Sequence, residues 1–338
     1  MIVGNIKTEV VNPFHFKTAK ELLETKPEDA NYCVDGLLPT NGLSILAGKP
    51  RAGKTTLARQ LAVAVAQGTQ FLGRTVQQGS VLYLAIEEKQ SEVTRHLQQL
   101  GISPADPIFV HCGAVPKNEC LEMLIASLKQ TNGVALVIID PLFRFVGVKD
   151  SNDYVQVNNT LERLMEVARN CRVHILTVHH MKKKVTEDSI DGALGSTAIV
   201  AGCDTFIALH VDGKGIRSIL TRQRYGSDME STQLIWDGRT RELSLGATNE
   251  EVAEQSAQMT IDRIIGQMLD YVSTQPLCTQ EAILNAVQGK TSLKKQLLQT
   301  LYDIQKLKRV GAGVKGEPYL YSVAEIGTES LRTNDVTE

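Results

Sequence analysis

Residues 48–55 of the chain read Gly48-Lys49-Pro50-Arg51-Ala52-Gly53-Lys54-Thr55, the pattern G-x-x-x-x-G-K-T. An apolar, β-prone run over residues 43–47 precedes this stretch, and a helical pattern over residues 54–67 follows it. A strand, a loop and a helix in this order are the context that a phosphate-binding loop requires. Backbone N–H groups at the start of the helix, aided by the helix dipole, bind phosphate oxygens in such loops. The stretch therefore predicts that the chain binds a nucleoside triphosphate.

Side chains of this loop and of a later strand predict a magnesium site. Lys54 is expected to reach the β- and γ-phosphates of ATP, and Thr55 to place its hydroxyl on Mg²⁺. A buried-strand pattern over residues 134–139 ends in Asp140, which is the second expected Mg²⁺ residue. The predicted nucleotide-binding residues are Gly48, Lys49, Pro50, Arg51, Ala52, Gly53, Lys54, Thr55 and Thr56.

Two other predicted strands end in polar residues that suit ATP hydrolysis. Glu87 and Glu88 follow one apolar run, and α/β sheets hold their chemistry at the carboxyl ends of strands. Glu87 is the expected base that polarises the attacking water, with Glu88 as the alternative and a solvated acidic turn as the third explanation. His179 and His180 follow another run, where one of them is expected to sense the γ-phosphate. Zinc is the weaker alternative, because adjacent strand residues point to opposite faces.

Arg222 and Arg224 stand two residues apart in a β-prone segment. On a strand, side chains at this spacing project from the same face. Such a pair is able to neutralise charge on a γ-phosphate held by a neighbouring subunit. On these residues alone, a solvated basic edge strand is the favoured explanation.

The composition is that of a globular chain without a global preference for nucleic acid. Charged residues make up 22% of the 338 residues and the formal net charge is −2, so any nucleic-acid contact must come from a local patch. The six cysteines show no metal-binding spacing, which indicates reduced thiols in a cytoplasmic protein. No stretch approaches the roughly 18 apolar residues that cross a membrane, so no membrane partner is expected.

Strand-like and helical patterns alternate from residue 31 to residue 246, which predicts an α/β fold with a mostly parallel sheet. Short strands with glycine-containing turns after residue 209 predict antiparallel hairpins at its edge. The expected organisation is an N-terminal arm (1–30), this core (31–246), a polar linker (247–260), a small C-terminal domain (261–324) and a disordered tail (325–338).

The C-terminal domain has the pattern of a winged helix-turn-helix, with three helical segments followed by a β-hairpin. Residues 261–323 contain eight Lys and Arg against five Asp and Glu. The predicted DNA-binding lysines of the third helix are Lys290, Lys294 and Lys295. Duplex DNA and a protein partner both remain open for this domain.

Residues 35–245 resemble the RecA-like ATPases, and look most similar to the DnaB-type and plasmid RepA-type hexameric helicases. Four segments carry the likeness in the family's order, namely residues 43–57, 83–88, 136–144 and 177–182. The segment Arg222-Gln223-Arg224-Tyr225-Gly226 is similar to the K-x-R-x-G finger of the DnaB-type proteins.

The resemblance implies roles for the residues already singled out. It implies that Arg224 acts as a finger on the neighbouring subunit, with Arg222 in place of the family's Lys. It likewise implies Glu87 as the catalytic glutamate and His179 or His180 as the sensor.

The resemblance also implies a homo-oligomer, expected to be a hexameric ring, with single-stranded DNA in the central channel. Two channel loops are expected at residues 144–153 and 182–193. The second loop opens with Lys182, Lys183 and Lys184, three further expected DNA contacts.

Three functions remain open at this point. The first is a helicase-like motor on single-stranded DNA in replication of a chromosome, a plasmid or a mobile element. The second is a RecA-type ATPase of recombination or repair, and the third is a regulatory, KaiC-like ATPase that acts on protein partners. Stimulation of ATP hydrolysis by single-stranded DNA distinguishes the first two from the third.

Overall fold

A computed structural model describes residues 16–24, 31–116, 119–146, 154–181 and 200–324. The chain divides into two compact units, Met1–Gly246 and Ala247–Glu338. The predicted loop 182–193 with its three lysines, the loop positions 147–153 and the predicted tail 325–338 lie outside the described residues. Within the described ranges, no helix has the length and apolar character needed to cross a bilayer.

The first unit alternates strands and helices along most of its length. In chain order its elements are α1 (Ala19–Glu24), β1 (Tyr32–Val34), β2 (Leu38–Pro39), β3 (Leu43–Gly48), α2 (Lys54–Gln67), β4 (Ser80–Ala85), α3 (Gln90–Gln99), β5 (Ile108–Cys112), α4 (Cys120–Gln130), β6 (Val134–Asp140), α5 (Leu142–Val146), α6 (Tyr154–Cys171), β7 (His174–His180), β8 (Thr205–Val211), β9 (Arg217–Gln223), β10 (Thr232–Asp237) and β11 (Glu242–Thr248). Two of these pieces, the β1–β2 pair and α5, were not predicted from the sequence pattern, because both are too short to show a period.

Nine strands form one sheet in the order β11-β10-β9-β8-β3-β7-β6-β4-β5. Strands β3 to β8 pair with one another in parallel, whereas β9 runs antiparallel to both β8 and β10. The predicted α/β fold with a mostly parallel sheet and an antiparallel edge is therefore confirmed.

Helices cover both faces of this sheet, which explains why its inner strands are apolar along their whole length. Every residue of β3 is buried, and successive residues belong to opposite cores. Leu46 lies in the core with residues of α2 and α3. Ile45 and Ala47 lie in the second core, which holds residues of α4 and α6.

The register of the parallel strands brings their carboxyl ends to one edge of the sheet, which we call the carboxyl edge. Gly48 pairs with His180 of β7 and with Leu209 of β8. Asp140 at the end of β6 pairs with Ala85 at the end of β4. The loops that follow these strands therefore meet at one place.

The second unit consists of three helices and a small sheet. Its elements are α7 (Asn249–Thr274), β12 (Cys278–Thr279), α8 (Gln280–Ala286), α9 (Thr291–Asp303), β13 (Leu307–Val310) and β14 (Leu320–Val323). The antiparallel sheet has the order β12-β14-β13. The helices share a separate apolar core that includes Ile264, Met268, Ile283, Leu298 and Leu301.

The predicted linker 247–260 is wrong, because this segment forms the first half of α7. Thr248 and Glu251 form a capping box at the start of the helix, with the Thr248 side chain accepting from the Glu251 amide and the Glu251 carboxylate from the Thr248 amide. The first turns are polar because they are largely exposed, and the first buried residue of the helix is Ile264. A polar composition does not distinguish the exposed turns of a helix from an irregular linker.

Candidate nucleotide site at the carboxyl edge

The loop between β3 and α2 adopts a conformation that suits a bound anion. Arg51 has φ 68° and Gly53 has φ 102°, and Gly53 offers no side chain to cap the first amides of α2. A side chain at Gly48 is excluded, since its Cβ would lie 2.7 Å from the carbonyl oxygen of Leu209. The free amides at this helix start are the groups that bind phosphate in proteins.

Lys54 places its ammonium group inside this loop. Its Nζ donates to the carbonyl oxygens of Gly48 and Lys49, each at 2.9 Å. The residue is only 3% exposed, and burial lowers the pKa of Lys54 while the nearby Asp140 carboxylate opposes the change. A cation is thus fixed where a phosphate group would enter.

Thr55 and Asp140 meet across the gap between α2 and the end of β6. The Thr55 Oγ1 donates to Asp140 Oδ2 at 2.8 Å. Burial raises the pKa of Asp140 to about 6, with a further upward effect from Glu88, and the Thr55 hydrogen bond opposes the rise. A hydroxyl and a carboxylate at this spacing are oxygen donors of the kind that Mg²⁺ takes.

Glu87 and Glu88 have different partners although they are adjacent. Glu88 forms an ion pair with Arg59 of α2, whose side chain is 7% exposed. Glu87 pairs with Arg144 of α5 through Oε1 and Nε at 2.6 Å, and both side chains are substantially exposed. Glu88 is therefore held by the core of the unit, and Glu87 lies at the solvent side of the carboxyl edge.

His179 and His180 reach the same edge through β7, where they pair with Ala47 and Gly48. Burial lowers the pKa of His179 to about 4, helped by the positive charges of His180 and Lys54. Burial also lowers the pKa of His180, with Lys54 acting in the same sense and Glu87 in the opposite one. Both imidazoles therefore lie within electrostatic reach of the loop lysine.

His179 is further fixed by the Phe143 ring, whose centroid lies 4.7 Å from that of the imidazole in an edge-to-face arrangement. His180 is exposed. Among the described residues, no group of three or more His, Cys, Asp or Glu side chains is placed to hold a metal ion.

Arg222 and Arg224 do not lie at the carboxyl edge of their own chain. Because β9 is antiparallel to β8, Arg222 pairs with Phe206 near the start of β8, and the Arg224 amide donates to Asp204 at 2.8 Å. Leu209 marks the level of the phosphate loop. Asp204 stands five residues before it, roughly 16 Å at 3.3 Å per residue.

The two arginines also differ from the prediction in their local structure. β9 ends at Gln223, so Arg224 lies past the strand and does not share a strand face with Arg222. Arg224 donates from Nη2 to the carbonyl oxygen of Ala201 at 2.6 Å and lies 3.9 Å from the Asp204 carboxylate. Arg222 contacts Asp228 at 3.5 Å. Arg222 and Arg224 therefore do not form the predicted pair on one strand face, and each is held by its own acidic partner.

Arg217, at the opposite end of β9, is a residue that the sequence analysis missed. It pairs with Val211, two residues beyond the level of the phosphate loop. A Cβ built at Gly53 would lie 3.9 Å from Arg217 Nε. The signal available in the sequence was the length of the strand, since a strand of seven residues with Arg217 at its first position and Arg222 near its last places an arginine toward each end of the neighbouring strands.

Of the three C-terminal lysines, the structure exposes Lys290 and Lys295 but not Lys294, so the predicted DNA contact of Lys294 is corrected. Lys294 is 7% exposed. Its Nζ donates to the carbonyl oxygens of Leu284 and, at 2.8 Å, Val287. These oxygens belong to the end of α8, where unpaired carbonyl groups attract a cation.

The parallel sheet, the phosphate loop and the acidic strand end together define a P-loop ATPase of the α/β class. In agreement with this, the model of the AAA domain family AAA_25 matches residues 11–185. The match covers more than half of the 338 residues, and the chain belongs to this family of P-loop ATPases. A comparison with curated proteins found no match.

Proposed function

We propose that the chain is a Mg²⁺-dependent ATPase that works in the cytoplasm as a homo-oligomeric, helicase-like motor on single-stranded DNA. In this proposal its relatives are the DnaB-type and RepA-type hexameric helicases, and its role lies in replication of a chromosome, a plasmid or a mobile element. The observation that carries the proposal is the separation of the phosphate loop, Asp140 and Glu87 from the Arg222–Arg224 segment, which lie at opposite edges of one sheet.

The residues at the carboxyl edge fit a magnesium–triphosphate. Lys54 is held inside the phosphate loop by two carbonyl oxygens, and phosphate oxygens are equivalent acceptors for its ammonium group. Thr55 and Asp140 present a hydroxyl and a carboxylate oxygen 2.8 Å apart, which are hard oxygen donors. Bound Mg²⁺ would neutralise charge on the β- and γ-phosphates.

Glu87 is the better candidate for the base that orients the attacking water. Glu88 is paired with Arg59, whose side chain lies in the core, and a carboxylate held in such a partly buried ion pair is less free to accept a proton from water. The Glu87 side chain is 44% exposed and that of its partner Arg144 is 70% exposed. Because exposed ion pairs contribute little free energy, water is able to replace Arg144 at the Glu87 carboxylate at little cost. His179 or His180, next to the loop, is the proposed sensor of the γ-phosphate.

The opposite edge carries the arginines proposed to act on a neighbouring subunit. Along the sheet, Arg224 lies roughly 16 Å and Arg222 roughly 10 Å from their own phosphate loop. In a head-to-tail ring, one edge of each subunit faces the opposite edge of the next. Arg224 would then exchange its contacts with Ala201 and Asp204 for the γ-phosphate of the neighbour, with Arg222 beside it.

Mixing two inactive variants tests this arrangement. We call the phosphate loop with the Lys54 ammonium group the cradle, and Arg224 the finger. Lys54→Ala loses the cradle and Arg224→Ala loses the finger, so neither variant alone should hydrolyse ATP. In a random 1:1 ring, about a quarter of the interfaces combine an intact cradle with an intact finger. We therefore expect recovery of about a quarter of the wild-type rate, measured as phosphate release.

Arg217→Ala provides the matched control, because Arg217 lies beside the cradle of its own chain. A mixture of Arg217→Ala with Lys54→Ala contains no interface with an intact cradle, so no activity should return beyond that of Arg217→Ala alone. Hydrolysis by Arg224→Ala alone at the wild-type rate, or recovery in both mixtures, would refute a finger acting between subunits.

For the C-terminal unit we propose a winged helix that binds duplex DNA through Lys290 and Lys295. The order of helices, the antiparallel hairpin β13–β14 and the exposure of both lysines support this. Replacing both by Ala in the full chain should weaken duplex binding and reduce its salt dependence. Fluorescence anisotropy at several salt concentrations measures this, and unchanged binding would leave the unit as a candidate for contact with a protein partner.

A further inference from the structure

The outer face of α9 carries a row of hydrogen-bonding side chains. One side of this helix is buried in the apolar core of the second unit. The other side is exposed and includes polar residues at spacings of three and four, namely Ser292, Lys295, Gln296 and Gln299. Residues at these spacings lie on one face of a helix. They therefore form a continuous row, which we call the polar stripe.

The two ends of the polar stripe differ in their contacts. At the far end, the Nε2 of Gln299 donates to Asp303 at 2.7 Å and its Oε1 accepts from Arg309 at 3.2 Å. At the start of the helix, the side chains of Lys295 and Gln296 form no hydrogen bond or ion pair with any residue that the structure describes. The free groups thus lie at the helix start, which is the part of a recognition helix that contacts base edges.

The hairpin β13–β14 is fixed against the far end of α9. The guanidinium carbon of Arg309, on β13, lies 4.0 Å from the ring centroid of Tyr302 and 4.2 Å from that of Tyr319. Tyr302 belongs to α9 and Tyr319 directly precedes β14. These cation–π contacts and the Gln299 hydrogen bond join the helix to the hairpin. Helix and hairpin are therefore preorganised to meet a ligand together.

A cleft of about 570 Å³ separates the start of α9 from the loop of this hairpin. Thr291 and Lys295 lie on the helix side, and Val314 and Pro318 lie on the hairpin side. Among the described residues that line the cleft, Glu281 is the only carboxylate. A lysine beside an apolar loop suits one sugar–phosphate strand, because the ammonium group neutralises a phosphate. Since Lys295 belongs to both the cleft and the polar stripe, a strand in the cleft would bring the adjoining groove against the stripe.

We propose that the second unit reads the sequence of duplex DNA, with the start of α9 in the major groove and the Gln296 amide paired with an adenine. The amide offers one acceptor and a donor group, which match the N6 amino group and the N7 of adenine. This inference rests on the duplex binding proposed above. It adds a division of roles, in which Lys290 and Lys295 hold phosphates and Gln296 selects the base.

Selection from a library of duplexes with a randomised central stretch tests whether sequence is read. The full-length wild type should enrich one adenine-containing sequence. Fluorescence anisotropy then compares the enriched duplex with a scrambled duplex of the same composition. Gln296→Ala should lower the ratio of the two affinities about tenfold, as expected for the loss of one bidentate base contact. Its affinity for the scrambled duplex should stay the same, since alanine preserves the helix.

7-Deazaadenine identifies the atom that is read, because it lacks the N7 acceptor and still pairs with thymine. It replaces each adenine of the enriched sequence in turn. At one position it should weaken binding of the wild type several-fold and leave binding of Gln296→Ala unchanged. A Gln296→Ala variant that loses as much affinity as the wild type at every such position would overturn the assignment of Gln296.

Gln299→Ala is the matched control, because it removes the same side chain from the same stripe one turn further along, where the amide is already held by Asp303 and Arg309. This variant should respond to 7-deazaadenine as the wild type does. Loss of that response in Gln299→Ala, or binding of duplexes without any enriched sequence, would overturn base reading while duplex binding stands. A wild type that binds no duplex would overturn both proposals.

Discussion

Asp140 combines burial with a negative charge. Loss of hydration at this side chain is only partly offset by the Thr55 hydroxyl and by the charges of Arg59 and Lys54, so the pKa of Asp140 rises to about 6. At neutral pH the site therefore contains a buried, ionised carboxylate whose lost hydration is only partly compensated. A cation at this place would relieve that cost, which is a physical reason to expect Mg²⁺ there.

Replacing Asp140 by Asn should stabilise the nucleotide-free chain in a pH-dependent way. The unfolded carboxyl ionises near pH 3.8 and the folded one near pH 6, so the wild type loses free energy of unfolding as pH rises through this window. The full loss is about 3 kcal/mol at 1.36 kcal/mol per pKa unit. Urea unfolding without Mg²⁺ should show Asp140→Asn ahead of the wild type at pH 7.5, by about 1 kcal/mol more than at pH 5. A difference that does not depend on pH would contradict the raised pKa.

Glu87 and Glu88 should separate catalysis from stability. Glu87→Gln removes the proposed base and is expected to lower the rate of ATP hydrolysis by about 10²- to 10⁴-fold with little effect on unfolding. Glu88→Gln leaves Arg59 buried without its partner and is expected to cost about 2 kcal/mol of unfolding free energy. Phosphate release and urea unfolding of both variants measure this. The reverse outcome would make Glu88 the base.

At the level of helices and strands, the local sequence pattern predicts the elements themselves but not the contacts between residues that are distant in the sequence. The six parallel strands β3 to β8 and α2, α3, α4 and α6 follow from apolar runs and helical periods that lie within single segments. The ion pairs of Arg59 with Glu88 and Arg144 with Glu87 join residues 29 and 57 positions apart, which no local period reveals. Arg217 comes to lie beside the phosphate loop only when β9 pairs with β8.

The lysines of α9 show the same limit within one helix. Lys294 and Lys295 are adjacent and chemically identical. As part of a basic cluster at the start of a helix, both are predicted from the sequence to contact DNA. The fold turns Lys294 inward to the carbonyl groups at the end of α8 and leaves Lys295 exposed. Charge composition alone carries no information about this difference.

Lys294→Ala should therefore loosen α8 and α9, whereas Lys295→Ala should not. The first change leaves two carbonyl groups without their donor and is expected to cost about 1–3 kcal/mol in local stability. Hydrogen exchange of the α8 and α9 amides in the full chain should accelerate in Lys294→Ala only. Equal exchange rates in the two variants would contradict a structural role for Lys294.

At the scale of the whole molecule, the sheet separates two halves of one proposed active site. The phosphate loop, Asp140 and Glu87 occupy the carboxyl edge, and the Arg222–Arg224 segment lies at the start of β8. Within one chain these two edges stay apart. The strands between them are packed against a core on both faces, so the sheet cannot bend to bring its edges together. If the proposed arginine finger acts as described, a complete site requires two copies, and nucleotide binding and hydrolysis should depend differently on protein concentration.

Dilution of the wild type should reveal this difference. Nucleotide affinity is set within one subunit by the phosphate loop, so fluorescence titration should give the same dissociation constant at high and low protein concentration. The specific rate of hydrolysis should fall as the oligomer dissociates by mass action. The decrease should match the rise in the monomer fraction found by analytical ultracentrifugation. Single-stranded DNA that bridges subunits should restore the rate at low concentration in the wild type and not in Arg224→Ala. Full specific activity in a solution of monomers would contradict a shared site, because a lone chain would then have to supply its own countercharge to the γ-phosphate.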